Sequence, residues 1–262
     1  HRYLHSFPTR RSSDLLLPRI LLVTEVAALA DLTLPRPISP LRRRLQLSVL
    51  LDRLLATGTT HFPRTALYDL SDSLAALMEE MQGEGVTPDR IAALDVANHS
   101  AHWARMQAFL GIVSQVLAGE ALDAEAVLRQ AVTAVRESWT QAPPQHPVIL
   151  AGSTGSRGTT ALLMQVLAGL PNGAVVLPGF DFDLPAQVWD SMDEALTAED
   201  HPQYRYRKLI DLLGCDRSDI RPWTSAAAPA PDRNRLISLS LRPAPITDQW
   251  LSEGPDLPDL IA

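Results

Sequence analysis

The stretch from Pro147 to Asp181 limits the folds open to this chain more than any other. Val148, Ile149, Leu150 and Ala151 form a short apolar run after a proline, the pattern of a fully buried strand. Gly152, Gly155 and Gly158 then break the run, with small polar residues between them. Thr159 or Thr160 is placed to cap a helix carrying Leu162, Leu163, Val166, Leu167 and Leu170 on one side. Pro171-Asn172-Gly173 stops that helix, and Ala174 to Leu177 reads as a second strand ended by Pro178-Gly179. Strand, loop, helix, strand is the unit that joins two parallel neighbours. A ligand site in such a unit lies at the carboxyl ends of the strands.

Three readings of the glycine loop compete. A phosphate loop needs a lysine directly after its last glycine. The chain has one lysine, Lys208, far from these glycines. A dinucleotide loop fits the spacing Gly152-x-x-Gly155-x-x-Gly158 of an atypical short-chain dehydrogenase. Asp181 would then be the ribose-binding acid and Tyr204/Lys208 the Y-x-x-x-K pair. This NAD(P)-dependent oxidoreductase is the alternative reading; it needs further strands after Asp181, which the sequence lacks.

The third reading is a resemblance. AGSTGS (Ala151–Ser156), T-x-x-L-L, LPNGAVVLPGFD and EDHPQYRYRKLIDLLG (Glu199–Gly214) occur in that order. With Arg235-Leu236-Ile237, Leu241-Arg242-Pro243-Ala244 and Leu16-Leu17-Pro18-Arg19-Ile20, they resemble the alphaproteobacterial type of AddB, one subunit of a helicase–nuclease that processes DNA double-strand breaks. The resemblance implies a partial RecA-like, superfamily-1 helicase-like parallel sheet with a large inserted helical subdomain. It implies an AddA-type partner in a heterodimer, DNA ends as substrate and a cytoplasmic location. ATP and magnesium would act through the partner, and an iron–sulfur cluster would lie in a C-terminal nuclease domain beyond this chain. In a working motor the strand aligned with Val148 to Leu150 ends in an Asp-Glu pair that holds magnesium and polarises water. Here Ala151 and Gly152 stand in those places, and neither binds a metal or moves a proton. We therefore expect no catalytic residue, no metal and no cofactor in this fragment. The loop Ala151, Gly152, Ser153, Thr154, Gly155 would be degenerate, with Asp181 at the next strand end.

Composition narrows the classes further. His1 to Leu15 looks like one reading frame of a sequencing-adapter oligonucleotide and lacks the apolar core of a signal peptide. Setting it aside takes the net charge from −7 to −9, because three arginines and one aspartate go with it. That balance argues against strong independent nucleic-acid binding. No run of 18 apolar residues offers a membrane span. Cys215 is the only cysteine, which rules out an internal disulfide and a Cys-rich metal site.

Along the chain, Leu16 to Val23 reads as an edge strand containing Pro18, the first strand segment within residues 16–38. Residues 39–140 read as an inserted helical block. Ser39-Pro40 starts a first helix with Leu41, Leu45, Val49 and Leu50 as its stripe. Arg42, Arg43 and Arg44 are the dense basic cluster, either a solvated face with one arginine paired to an acid or a contact to DNA or the partner. After a turn at Thr57 to His61, Pro63 opens a second helix with Leu67, Leu70, Leu74, Leu77, Met78 and Met81 inward. Thr87-Pro88 starts a third and Asn98 caps a fourth, on which Trp103 reads as core and His99 and His102 as surface or core histidines without a third metal ligand. Asp123 caps a fifth bearing Leu128, Val132, Val135 and Trp139. Residues 141–224 hold the strand–helix–strand core. There Asp181 and Asp183 should cap a helix near Pro185, and a helix from His201-Pro202 should end at Gly214. Residues 225–262 read as a linker, a helix over Asp232 to Leu241, and a tail from Thr247 without a packed element.

Overall fold

The computed structural model describes residues 18–29, 33–56, 64–93, 110–111, 114, 121–193 and 198–257. The described residues are mixed α/β and mostly helical, with one small parallel sheet. Strand β1 (Val148–Ala151) pairs with β2 (Gly173–Val176), Leu150 opposite Val175 and Ala151 opposite Val176. Helices α1 (Pro40–Ala56), α2 (Arg64–Glu84), α3 (Pro88–Ala92) and α4 (Ala124–Gln141) precede the sheet. Helix α5 (Gly158–Ala168) is the crossover between the strands. Then come α6 (Ala186–Asp190), α7 (Tyr204–Leu213), α8 (Pro231–Ser240) and α9 (Gln249–Glu253). The expected strand–loop–helix–strand unit is thus present, with β2 starting one residue early. Of the fourth helix expected from Asn98, Leu110, Gly111 and Ser114 are described and helical, whereas His99, His102 and Trp103 lie outside the described residues, as do His1 to Leu17 and the turn at Thr57 to His61.

The core joins the sheet to the last helix of the block. Val132, Val135 and Trp139 of α4 share one cluster with Leu150 of β1, Leu163, Met164 and Leu167 of α5, and Tyr206, Leu209 and Ile210 of α7. A smaller cluster, built on Leu47, Leu74 and Leu110, lies between α1 and α2. The expected stripe of α4 is correct: Val132 and Val135 are fully buried.

Several expectations are corrected. β1 is not buried on both faces: Leu150 is 6% exposed and Ile149 52%. Its burial alternates with the pleat, so the two-stranded sheet is covered on one side. Residues 18–22 form no strand, and the chain enters a 3₁₀ helix over Val23–Leu29. The Glu25 carboxylate accepts the Leu22 N–H at 2.9 Å, and this local bond closes the turn that an edge strand would have kept open. In α1 the stripe falls on another face: Leu47 and Leu51 are fully buried, while Leu41 and Val49 are 65% and 52% exposed. Too many leucines surround this helix for periodicity to choose among faces, and the buried Arg43 decides it. The Ser39 Oγ does accept the Arg42 N–H, as an N-cap should. Asp123 precedes α4 without capping it through its side chain, because its carboxylate is taken by Arg43 and Gln82. Thr159 does not cap α5: it lies one residue inside the helix, fully buried. Asp181 and Asp183 do not cap α6, which starts after Pro185. The Asp181 carboxylate turns back to accept the Asp183 N–H at 2.9 Å. The tail carries a packed element after all: α9 follows Thr247, and its Trp250 Nε1 donates to the Leu239 carbonyl at 2.7 Å. Gly214 closes α7 in the left-handed region at φ +66°, as expected.

Candidate functional site at the two strand ends

In a parallel pair both carboxyl ends open on the same side, and that is where a ligand would bind. After β1 the chain runs Gly152-Ser153-Thr154-Gly155-Ser156-Arg157 into α5. Gly152 and Gly155 have φ of +85° and +67°, a region closed to most side chains. The Gly155 N–H reaches the Ser153 Oγ at 3.2 Å. A Cβ on Gly155 would come 2.9 Å from the Met164 sulfur and 3.1 Å from Leu209, so this glycine also lets α7 close over the loop.

The far end of the loop meets the C-terminal end of α2. The Glu84 carboxylate accepts the Gly158 N–H at 2.7 Å. The Thr159 Oγ1 donates to the Gly83 carbonyl at 3.2 Å, and Arg129 of α4 donates to the same oxygen at 2.6 Å. A Cβ on Gly158 would lie 2.7 Å from the Gly83 carbonyl oxygen and 2.9 Å from the Glu84 Cα. The first amides of a helix and its dipole make an anion site, as in nucleotide loops. At α5 that position holds a carboxylate from the same chain. A pyrophosphate there would meet Glu84 and a backbone carbonyl.

Among the described residues no carboxylate bonds to the β1 end itself, at Ala151 and Gly152. Glu79, Glu80, Glu84 and Glu125 do gather near Ser156 and Arg157, at the other end of the loop. Among the described residues no group of three or more His, Cys, Asp or Glu is arranged to hold a metal ion.

The second strand end is held differently. Beyond β2 the chain reads Leu177-Pro178-Gly179-Phe180-Asp181, and the segment His201 to Tyr206 braces it. Gln203 Nε2 donates to the Gly179 carbonyl at 3.0 Å, and its Oε1 accepts the Asp181 N–H at 3.0 Å. The Tyr206 hydroxyl donates to the Pro178 carbonyl, and burial pushes its pKa above the ordinary tyrosine value. His201 Nδ1 accepts the Gln203 N–H at 3.1 Å. The histidine is buried, which lowers its pKa; Asp181 and the Leu241 backbone oppose that shift, and Arg242 adds to it. Arg217 closes the outer side, donating to the Leu184 carbonyl at 2.5 Å, with its guanidinium 5.3 Å from the Trp189 ring centre. Beside it, Phe180, Phe182, Trp189, Arg207 and Asp216 line a groove of about 650 Å³.

The residues singled out by sequence are therefore scattered in role. Asp181 lies at the β2 end as expected, but its backbone and carboxylate serve the turn. Tyr204 is buried, and Lys208 lies over its ring at 5.4 Å from the centre, so the pair serves packing. Arg43 is buried and bonded to Asp123 at 2.7 Å and the Ala121 carbonyl at 2.6 Å. Arg44 pairs with Asp72 at 2.7 Å, which leaves Arg42 as the exposed member of the cluster. Sequence reasoning missed Glu84, Gln203 and His201. The last two lie in the HPQYRY string, whose sequence signals point to a helix start and a resemblance but not to a loop brace.

The fold and the strand ends define a mostly helical α/β protein whose glycine loop after β1 is closed by its own chain. No protein-family model, curated protein or solved structure matches this chain. No helix among the described residues is long and apolar enough to cross a membrane.

Proposed function

We propose that the chain is a non-hydrolytic, helicase-like scaffold of the AddB type, a partial RecA-like sheet with a helical insertion that holds an AddA-type subunit and guides DNA ends. The observation that carries this reading is the closed β1 end. Ala151 and Gly152 supply no acid, and the α5 N-terminus is filled by Glu84, so the place where a motor or a dehydrogenase binds phosphates has become an internal joint. The resemblance of the AGSTGS, LPGFD and HPQYRY strings supports the same view, and the last two strings are bonded to each other. Arg42 is the exposed member of the basic cluster and would meet a phosphate or the partner. The parent activities, ATP hydrolysis and nuclease cleavage, belong to other parts of that assembly.

The test is co-expression with an AddA-type subunit. The scaffold reading expects the two to elute together and the complex to bind blunt DNA ends more tightly than the partner alone. Elution apart would sink it. A parallel tryptophan-fluorescence titration with NADP(H) and ATP decides the alternative, since saturable micromolar binding of the dinucleotide would favour the oxidoreductase.

A further inference from the structure

Helix α1 has a second apolar face besides the one it buries. Leu41, Leu45 and Val49 are 65%, 51% and 52% exposed. They stand four apart, so they form one ridge, about 12 Å long at 1.5 Å per residue. Single exposed leucines are ordinary, but an aligned set on one helix face is the pattern that docks against another element. The charges around the ridge are mainly basic. Arg36, Arg42 and Arg53 are exposed and enter no ion pair among the described residues, while Asp52 lies on the same face beside Arg53. In a chain of net charge −7 this is a local reversal of sign.

A surface of the opposite kind lies at α9. Leu251 is 84% exposed and Trp250 49%. The bond from the Trp250 indole to the Leu239 carbonyl fixes the ring, so a contact there has little left to order. Asp248 and Asp256 flank these two side chains, exposed and in no ion pair among the described residues. Glu253, the acid between them, is turned toward Arg242 at 3.4 Å. Both surfaces are open in the same copy, so neither covers the other within it.

We propose that a second copy of this chain covers the α1 ridge, with its Leu251 and Trp250 on Leu41, Leu45 and Val49 and its Asp248 and Asp256 facing the α1 arginines. Each copy carries both surfaces, so two copies close the contact reciprocally or further copies extend it head to tail. A two-residue apolar anchor on a three-residue ridge falls short of the roughly 800 Å² per partner of a standard interface, so the association is weak unless both contacts form. The proposal is independent of the scaffold reading: it concerns this chain alone, and a subunit or DNA backbone that claimed Arg42 would compete with it.

The experiment is sedimentation velocity of the full chain over a wide range of concentration. The expected result is concentration-dependent self-association that weakens as salt is added. Leu251→Asp, at a position the fold leaves in solvent, should weaken it about tenfold or more. Two charge reversals guard against a variant that misfolds. Arg42→Glu with Arg53→Glu, and separately Asp248→Arg with Asp256→Arg, should each sediment as a monomer. Mixed together, the two should associate again, because each reversed face then meets its opposite. A folding defect does not produce that recovery. A wild type that stays monomeric, unchanged association in Leu251→Asp, or no association on mixing would overturn the proposal. So would a monomeric chain that binds duplex DNA through Arg42 and Arg53, which would give the rim of the ridge to phosphates instead.

Discussion

The two strand ends are neighbours in one sheet, yet they are closed by opposite means. After β1 the loop is shaped by glycines and sealed by backbone: the end of α2 presses on Gly158, and one carboxylate takes a helix amide. After β2 the loop is held by side chains: Gln203 and Tyr206 reach its backbone from the start of α7, and His201 accepts the Gln203 N–H behind them. The first closure depends on what is absent, the Cβ atoms of three glycines. The second depends on what is present. A backbone seal tolerates almost no added volume, whereas a side-chain brace fails when a donor or acceptor is removed. The same substitutions should therefore act differently at the two ends.

The largest effect is expected at the brace. Gln203→Ala removes a buried side chain and both of its bonds, to the half-buried Asp181 N–H and to the carbonyl of the exposed Gly179. With about 1 kcal/mol for each lost hydrogen bond and about 1 kcal/mol for the space a buried side chain leaves, the loss should come to about 3 kcal/mol, or about 10 °C in melting temperature. Gln203→Glu keeps the acceptor and loses the donor, so it should fall between. If calorimetry finds Gln203→Ala within about 0.5 kcal/mol of the wild type, the brace is not holding the loop.

A pair of glycine substitutions sharpens the contrast. Gly158→Ala must push against the Gly83 carbonyl oxygen and the Glu84 Cα, backbone atoms that cannot swing aside, and should cost about 2 kcal/mol. Gly179 lies in the other loop at φ +69° with open space around its missing Cβ. Its restriction is conformational, so Gly179→Asn should cost well under about 1 kcal/mol, because asparagine tolerates that region. Urea unfolding of both variants checks this; equal losses would mean that the two loops are closed by the same means.

These details show how far the sequence could be read. The strand–loop–helix–strand unit was legible because its signals are local: a four-residue apolar run, glycine punctuation and a proline stop. The left-handed cap at Gly214 and the buried stripe of α4 were legible for the same reason. The face of α1 was not, since Leu41, Leu45, Val49, Leu47 and Leu51 offer two stripes, and the choice rests on Arg43 finding Asp123, a partner 80 positions away. Glu84 was invisible on similar grounds. Nothing in the local pattern around a Gly-Glu-Gly helix end says that it will close a loop 74 positions later. The absence of an acid at Ala151 and Gly152 could be read from the letters; the carboxylate filling the adjacent helix end could not.

The Glu84 joint gives a smaller and more specific test. Glu84→Gln keeps an acceptor for the Gly158 N–H and removes the charge facing the α5 dipole, so stability should fall by about 0.5 kcal/mol. The glycine loop would then offer a helix N-terminus without an opposing anion. Fluorescence titration of this variant with ADP should still show no saturable binding, since the Gly83 carbonyl oxygen and the Glu84 backbone remain against Gly158. Micromolar binding would mean that one carboxylate was all that kept a nucleotide site shut.

The mildest perturbation is pH, read at the second loop through His201. Burial lowers the pKa of His201 from its ordinary 6.5, against the pull of Asp181 and the Leu241 backbone. The folded protein therefore holds this imidazole neutral where the unfolded chain would protonate it. Its contribution to stability is complete above about pH 7 and is lost as the pH falls through 6.5 toward the depressed folded value, because the unfolded state then binds more protons. Protonation would also turn Nδ1 from acceptor to donor against the Gln203 N–H, loosening the residue that carries the brace. His201→Asn retains an acceptor near the Nδ1 position and does not titrate. Unfolding free energies measured between about pH 7.5 and 5.5 should fall more steeply for the wild type than for His201→Asn. The double variant His201→Asn, Gly158→Ala should show the shallow slope of the first and the full loss of the second, since the two closures share no partner. Parallel slopes in wild type and His201→Asn would remove His201 from the brace and leave Gln203 and Tyr206 to hold the loop.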